Sequence, residues 1–219
     1  SCLFVERMES AGAIVLGKTN SPVFGARGIT DNPLFGPTCN PFDVSRNPGG
    51  SSGGAAAAVA AGFVPIAEGT DAGGSIRIPA AWTSTYGFKP SAGRVPSIIR
   101  PLGFMTAAPF ITEGPITRTV ADAALAMTAL AGPDSRAPHC LDGVLDYRAA
   151  LDGSIAGRRL GYSPNLGAFP VEPAVARAVE HALTGFEECG AQVQQTEVSL
   201  HADHEELAAL WHRSMMQVT

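Results

Sequence analysis

Two serine–glycine loops on either side of one short apolar helix constrain this chain more than any other feature. The first loop reads Gly-Gly-Ser-Ser-Gly-Gly (49–54), the helix follows at 55–62, and the second loop reads Gly-Thr-Asp-Ala-Gly-Gly-Ser-Ile-Arg (69–77). Glycine runs allow backbone N–H groups to converge on one point, because no Cβ limits the backbone. Serines in such runs are candidate nucleophiles, and converging N–H groups can bind an oxyanion. The pattern predicts the core of a serine hydrolase.

The composition favours one compact α/β domain over residues 1–219 and excludes several other classes. The chain has 219 residues, a hydrophobic fraction of 45% and a formal net charge of −5. It contains no basic cluster, so we expect no nucleic-acid partner. It also lacks an apolar run of about 18 residues, which argues against a membrane span. Neither common nucleotide-binding glycine motif occurs, and no cofactor is implied.

The cysteines and the two ends of the chain suggest a location and a larger context. Cys2, Cys39, Cys140 and Cys189 are scattered without C-x-x-C spacing, which favours reduced thiols and a cytoplasmic protein. The chain begins as if already inside a helix and stops on an amphipathic pattern without a helix-ending Gly or Pro. These ends predict an internal piece of a longer protein, truncated at both ends.

Hydrophobic periodicity and breaker residues predict alternating helices and strands. We expect helices over 3–12, 52–62, 76–84, 117–132 and 173–188, with Thr119 as the cap of the fourth. We expect strands over 13–17, 63–67, 158–162 and 191–198, separated by loops at 20–48, 87–109 and 133–155. This order predicts an α/β/α sandwich around a twisted mixed β-sheet. In it, one sheet should unite the strands near 13–16 and 63–67, and the helix at 52–62 should be buried.

Both loops, in composition and in separation, resemble the amidase signature family. Matching flanks include Gly17-Lys18-Thr19-Asn20, Asn32-Pro33-Leu34-Phe35-Gly36, Gly87-Phe88-Lys89-Pro90 and Gly114-Pro115-Ile116-Thr117-Arg118. The resemblance extends from about residue 5 to residue 132. It implies hydrolysis of a carboxylic amide C–N bond through an acyl-enzyme, with a small-molecule amide as substrate and a homodimer left open.

The resemblance also implies a role for each residue of the two loops. Ser75 would be the nucleophile, and Ser51 would be the bridging serine, joined to Gly50 by a cis peptide bond. The oxyanion hole would be formed by the backbone N–H groups of Ala72, Gly73, Gly74 and Ser75. Asp71 and Arg77 would hold the second loop by charge-assisted hydrogen bonds, and Ser52 would orient Ser51 or the loop.

The family's catalytic lysine has no counterpart here. The chain contains only Lys18 and Lys89, and neither stands in the motif that carries the lysine. A serine–serine–lysine relay needs a neutral amine to accept the proton of the bridging serine. Without it, Ser75 keeps its oxyanion hole and loses its activation. Lys18 as a stray base, and Asp71 as a general base, are weaker interpretations than structural roles.

Three functions remain open at this level. The segment from Thr19 to Gly25 resembles stand-alone amidases more than the amidotransferase A subunit that works on aminoacyl-tRNA. The third alternative is an inactive piece that lacks the catalytic lysine. A metal site at His201-Ala-Asp-His204 lacks a third ligand, so a solvated helix start is the preferred interpretation.

Overall fold

The structure is a computed structural model that describes residues 2–98, 111–143, 145–198, 200 and 202–216. The chain divides into two compact units, Ser1–Leu151 and Asp152–Gln217. That both belong to one domain over residues 1–219 stays a prediction. Part of the segment at His201–His204 lies outside the described residues, so the metal alternative there is tested no further.

The first unit contains the two serine–glycine loops and most of the buried apolar side chains. In its described residues the helices are α1 (Leu3–Ser10), α2 (Gly53–Ala60), α3 (Arg77–Trp82) and α4 (Val120–Leu130), with a 3₁₀ turn at Val23–Gly25. The strands are β1 (Asp31–Asn32), β2 (Gly36–Pro37), β3 (Ile66–Asp71), β4 (Tyr86–Gly87) and β5 (Thr112–Thr117). A second 3₁₀ turn spans Ala149–Asp152. Strands β1 and β2 form a short antiparallel pair.

The sheet of the first unit has the strand order β3–β5–β4, and both pairings are antiparallel. Residues directly opposite each other share a face of the sheet, since side chains alternate along each strand. Ala67 and Ile116 face the cluster that contains Val59 of α2 and Ile76. Ile66, on the other face, packs against the cluster formed by α1 and α4. Helices therefore cover both faces of the sheet, which confirms the α/β class and the α/β/α layering.

The small residues of α2 place this helix in the interior. Gly53, Gly54, Ala55, Ala56, Ala57 and Val59 are all buried. The prediction of a buried helix is therefore confirmed, with ends at Gly53 and Ala60 rather than at 52 and 62. Arg118 donates hydrogen bonds to the carbonyl oxygen of Val59, at the end of the helix, and to that of Val64 in the segment that follows.

The second unit consists of β6 (Arg159–Tyr162), α5 (Pro173–Glu188), β7 (Gln192–Gln195) and α6 (His204–Met216) in its described residues. Strands β6 and β7 pair in parallel, and α5 connects them along the chain. The predicted strand–helix–strand segment is thus confirmed, although β7 ends three residues early.

The predicted strand over 13–17 is wrong. These residues belong to neither a helix nor a strand, and residues 14–19 form no hydrogen bond with the described part of the protein. Ile14 is 84% exposed and Leu16 is 74% exposed. The apolar run has strand character, but a strand needs a pairing partner, and the described residues offer none. The prediction that one sheet unites 13–16 with 63–67 fails for the same reason.

Two further boundaries differ from the sequence prediction. Residues 63–65 contain Pro65 and lead into β3, which begins at Ile66 and continues to Asp71 instead of ending at 67. The central strand β5 was not predicted, because Gly114 and Pro115 look like a turn in the sequence. Its pairing with β3 places Gly114 opposite Gly69, and both glycines leave room for Ile76.

Candidate active site

Two neutral side chains, one from a distant segment and one just before the loop, hold the first serine–glycine loop. The hydroxyl of Thr30 donates a hydrogen bond to the Gly49 carbonyl oxygen (2.8 Å) and accepts one from the Gly53 N–H (3.1 Å). Asn47 Oδ1 accepts hydrogen bonds from the N–H groups of Thr30 (3.1 Å) and Gly49 (3.0 Å). Thr30 is fully buried and Ser51 is 6% exposed. The loop is therefore fixed from both ends.

Close packing explains why this loop needs glycines. A Cβ at Gly50 would lie 2.8 Å from backbone atoms of Ile29, and one at Gly54 would lie 2.6 Å from the Asn20 nitrogen. Backbone atoms cannot move aside cheaply at such distances. The Gly50–Ser51 peptide bond is cis, as the resemblance implied.

An ion pair between a buried aspartate and an exposed arginine holds the second loop. Asp71 ends β3 and is fully buried. Its carboxylate accepts hydrogen bonds from the backbone N–H groups of Gly74 (2.8 Å), Ile76 (3.1 Å) and Arg77 (3.2 Å). The Arg77 guanidinium adds two more, from Nε (3.0 Å) and Nη2 (2.8 Å). The charge-assisted contact between Asp71 and Arg77 is thus present.

The ion pair keeps Asp71 ionised despite its burial. Burial by itself raises the pKa of this carboxyl. The Arg77 guanidinium and the three backbone donors outweigh that effect, so the pKa of Asp71 lies below its ordinary value. A carboxylate in this state accepts hydrogen bonds and is a poor base. The geometry therefore favours a positioning role over general-base catalysis.

Two hydrogen bonds of Ser52 bring the loops side by side. The Ser52 N–H donates to the Ser75 carbonyl oxygen (3.2 Å), although the residues are far apart in sequence. The Ser52 hydroxyl accepts a hydrogen bond from the Thr70 N–H (3.2 Å). The residue that follows Ser51 is therefore in direct contact with the backbone of Ser75. A hydroxyl relay between Ser51 and Ser75 stays a prediction.

The candidate oxyanion donors fall into two groups. The Gly74 N–H already donates to Asp71, with a separation of 2.8 Å. The N–H groups of Ala72, Gly73 and Ser75 donate to no acceptor within the described parts of the chain. Three of the four predicted donors are thus uncommitted, while the fourth stabilises the loop. Their service as an oxyanion hole stays a prediction.

Neither lysine forms a polar contact with the described residues of this site. Lys18 is exposed in the irregular segment before Asn20, and Lys89 is half-buried after β4. Across the described ranges, neither ammonium group forms a hydrogen bond or an ion pair.

Sequence reasoning missed Thr30 and Asn47. Thr30 bonds to partners 19 and 23 residues away, and no local pattern marks such a contact. The sequence could have predicted the role of Asn47. An asparagine before Pro-Gly is typical of a turn in which the side chain accepts a hydrogen bond from the backbone N–H two residues later. The Gly49 N–H makes that bond.

Among the described residues, no three His, Cys, Asp or Glu side chains lie close enough together to hold a metal ion. No described helix combines the length and apolar character needed to cross a membrane.

Comparison with known proteins identifies relatives of this chain. The family model described as Amidase matches residues 1–217. An acylamidase of Rhodococcus erythropolis is 46% identical over 196 residues, which cover 89% of this chain and 40% of the relative. The A subunit of the glutamyl-tRNA(Gln) amidotransferase of Chromohalobacter salexigens is 44% identical over 202 residues, or 91% of this chain and 40% of the relative.

Solved structures show the same relationship. The crystal structure of a bacterial aryl acylamidase of the amidase signature family superposes with a TM-score of 0.94 and 48% identity, covering 98% of this chain and 44% of that one. The fold and the paired loops define an α/β protein with a serine–glycine site. The chain belongs to the amidase signature family. It spans about 40% of the length of the curated relatives it matches.

Proposed function

We propose that the protein containing this chain hydrolyses the C–N bond of a small carboxylic amide. The main observation that supports this proposal is the hydrogen bond between Ser52 and Ser75, because it brings together two serine–glycine loops from different parts of the sequence. Family membership and the similarity to an acylamidase support the same reaction class.

In the proposed reaction, Ser75 Oγ forms a bond to the amide carbonyl carbon. Ser51 accepts the Ser75 proton and passes a proton to the leaving nitrogen, so the C–N bond breaks and an amine or ammonia departs. The N–H groups of Ala72, Gly73 and Ser75 stabilise the negative carbonyl oxygen, with the Gly74 N–H available if it leaves Asp71. The oxygen of a water molecule then bonds to the acyl carbon, the bond between that carbon and Ser75 Oγ breaks, the carboxylic acid leaves, and Ser75 Oγ regains a proton.

The remaining groups of the site have supporting roles in this proposal. Asp71 and Arg77 hold the second loop, and Ser52 ties it to the first. No lysine of this chain matches the family's base, so we propose that a lysine elsewhere in the complete protein accepts the Ser51 proton. The isolated 219-residue chain is then expected to show little amide turnover.

Amide hydrolysis by the complete protein tests these roles. We expect Ser75→Ala to abolish turnover and Ser51→Ala to reduce it severely, while Lys18→Ala leaves turnover largely unchanged, because Lys18 is exposed and bonds to no described residue. The isolated chain serves as the sample without the proposed base. Robust turnover by that chain, lost on Lys18→Ala, would show that the base is assigned wrongly. Unchanged turnover after Ser75→Ala would overturn the nucleophile.

A second candidate is the A subunit of a tRNA-dependent amidotransferase. Its support is the 44% identity to the Chromohalobacter protein and a TM-score of 0.80 to the corresponding crystal structure from Thermotoga maritima. The TM-score of 0.94 to an aryl acylamidase favours the stand-alone reaction. Hydrolysis of simple amides by the complete protein, purified alone and without tRNA, decides for the first candidate. Activity that requires further protein chains and aminoacyl-tRNA decides for the second.

The same proposal covers the setting of the protein. We propose one amidase domain that includes both compact units, supported by the family match over residues 1–217. The free thiols of all four cysteines fit a cytoplasmic location. A homodimer remains a proposal that sedimentation of the complete protein would test.

A further inference from the structure

Strands β3 and β5 carry two glutamates on one face of the sheet. Glu68 pairs with Pro115, and Thr70 pairs with Glu113. Glu68 and Glu113 are therefore diagonal neighbours, at a spacing of about 7–8 Å between backbone positions, within reach of long side chains. This face is opposite to the one that packs against α2, because Ala67 and Ile116 face α2.

The surroundings of the two carboxyls provide little compensation for negative charge. Ser97 donates a hydrogen bond to Glu113 Oε1 (2.8 Å). Glu113 Oε2 is buried and has no hydrogen-bond partner among the described residues. The Cys2 thiol lies 3.7 Å from both carboxyl oxygens of Glu68. Within the described ranges, neither glutamate forms an ion pair.

Both carboxyls are harder to ionise than an ordinary glutamate. Burial raises the pKa of Glu68, and the negative charge of Glu113 raises it further. The Cys2 hydrogen bond and the positive charge of Lys18 oppose these effects without cancelling them. Burial also raises the pKa of Glu113, and the Ser97 hydrogen bond opposes it only in part. These groups face the pair from the start of α1, the segment before Asn20 and the segment after β4.

We propose that Glu68 and Glu113 form a proton-holding carboxyl pair that stabilises the β3–β5 pairing while at least one of them is protonated. When both ionise, two neighbouring charges with a buried oxygen lacking a donor repel each other across the strands. The affected part of β3 leads directly to Asp71 and the second serine–glycine loop. The pair thus makes the support of that loop weaken as the pH rises above the ordinary glutamate pKa of about 4.3.

The direction of the effect follows from linkage. A carboxyl whose pKa is raised in the folded state binds more protons there than in the unfolded chain, between the two pKa values. Its stabilising contribution is complete below the ordinary glutamate pKa of about 4.3. It is lost as the pH rises through the higher folded pKa. This sign is opposite to that of Asp71.

The test measures the melting temperature of the complete protein between pH 4.5 and pH 8.5, in a Ser75→Ala background that removes catalysis. The variants are Glu113→Gln, Glu68→Gln and the double substitution. Glu180→Gln, an exposed glutamate on α5, is the matched control. We expect Glu113→Gln to flatten the decline of the melting temperature with rising pH and to raise the melting temperature at pH 8 by about 2–4 °C, while the control leaves the profile unchanged.

Each alternative result bears on the proposal. The proposal is overturned if the melting temperatures of Glu113→Gln and Glu68→Gln change with pH in the same way as that of the parent. If Glu113→Gln does not fold, Glu68→Gln decides, since the neutral amide resembles the protonated acid. Failure of both variants to fold at pH 5 also overturns the proposal. Because catalysis is already removed, a failed amidase assignment would not alter these outcomes.

Discussion

The two serine–glycine loops lie side by side but are held by opposite kinds of force. The first loop depends on neutral hydrogen bonds from Thr30 and Asn47, and on backbone segments packed directly against its glycines. The second depends on the buried Asp71 carboxylate and the Arg77 guanidinium. An ion pair therefore holds the second loop, which contains the proposed nucleophile. Close packing and hydrogen bonds between neutral groups hold the first loop, which contains the proposed bridging serine.

This difference separates the perturbations to which each loop responds. The second loop should be sensitive to acid and to removal of charge, but it is built from local residues. The first loop should be insensitive to pH and sensitive to added volume, because most of its contacts come from segments distant in the sequence. Stability measurements on the complete protein test this contrast.

The largest effect is expected from Asp71→Asn. Breaking a buried ion pair typically costs about 3–5 kcal/mol, and the half-exposed Arg77 reduces the expected loss here to about 3 kcal/mol. Urea unfolding measures this loss. The exposed turn residue Asp43, which pairs with Arg46, supplies the control Asp43→Asn, for which we expect little change. An equal loss in both variants would contradict a special role for the buried pair.

The same variant tests the pH dependence of the second loop. The lowered pKa of Asp71 means that its contribution is present above the ordinary aspartate pKa of about 3.9. It is lost as the pH falls through the folded pKa. The parent protein should therefore lose stability in acid more steeply than Asp71→Asn. If the free energy of unfolding falls equally in acid for the parent and for Asp71→Asn, another group causes the acid dependence.

A smaller loss, about 2 kcal/mol, is expected from Gly54→Ala in the first loop. The new Cβ would approach the backbone of Asn20, which cannot move aside without shifting its segment. Gly185 on α5 provides the control, because a Cβ there has no neighbour within 4 Å. We expect Gly185→Ala to stabilise by up to about 1 kcal/mol. Similar melting shifts in both variants would rule out the packing argument.

Thr30→Val should cost about 1–2 kcal/mol, since it leaves the Gly49 carbonyl and the Gly53 N–H without their partner. The loss should be the same at pH 5 and pH 8, because no titrating group is involved. A strongly pH-dependent loss, measured by urea unfolding at both pH values, would break the contrast between the loops.

The smallest effect belongs to Thr112→Val. Thr112 is 2% exposed, and its hydroxyl has no partner among the described residues. Removing a buried hydroxyl without a hydrogen bond should leave stability unchanged or raise it by up to about 1 kcal/mol. A loss equal to that of Thr30→Val would reveal a partner for this hydroxyl in the complete protein.

The features that the sequence predicted correctly depend on residues that are close together in the chain. The Thr119 cap of α4 was predicted, and its hydroxyl accepts a hydrogen bond from the Asp122 N–H. Asp71 and Arg77 are six residues apart, so the loop itself brings them together. The helix at Gly53–Ala60 was predicted because uniformly small apolar residues suit only the interior.

Long-range pairing accounts for what the sequence did not predict. Residues 13–17 have the composition of a strand, yet pairing depends on a partner that local sequence does not reveal. Strand β5 contains Gly114 and Pro115, which favour a turn in isolation, and its pairing with β3 overrides that preference. Thr30 was missed because its partners are defined only by the fold.

Arg7 shows how the order of synthesis bears on the first unit. Its guanidinium donates hydrogen bonds to the carbonyl oxygens of Leu130, Gly132 and Pro133, 123 to 126 residues later in the chain. At a translation rate of about 5–20 residues per second, these acceptors emerge roughly 6 to 25 seconds after Arg7. Throughout that interval α1 lacks the end of α4 as a docking partner, and Phe4 lacks the apolar contacts that it makes with α4 in the folded unit.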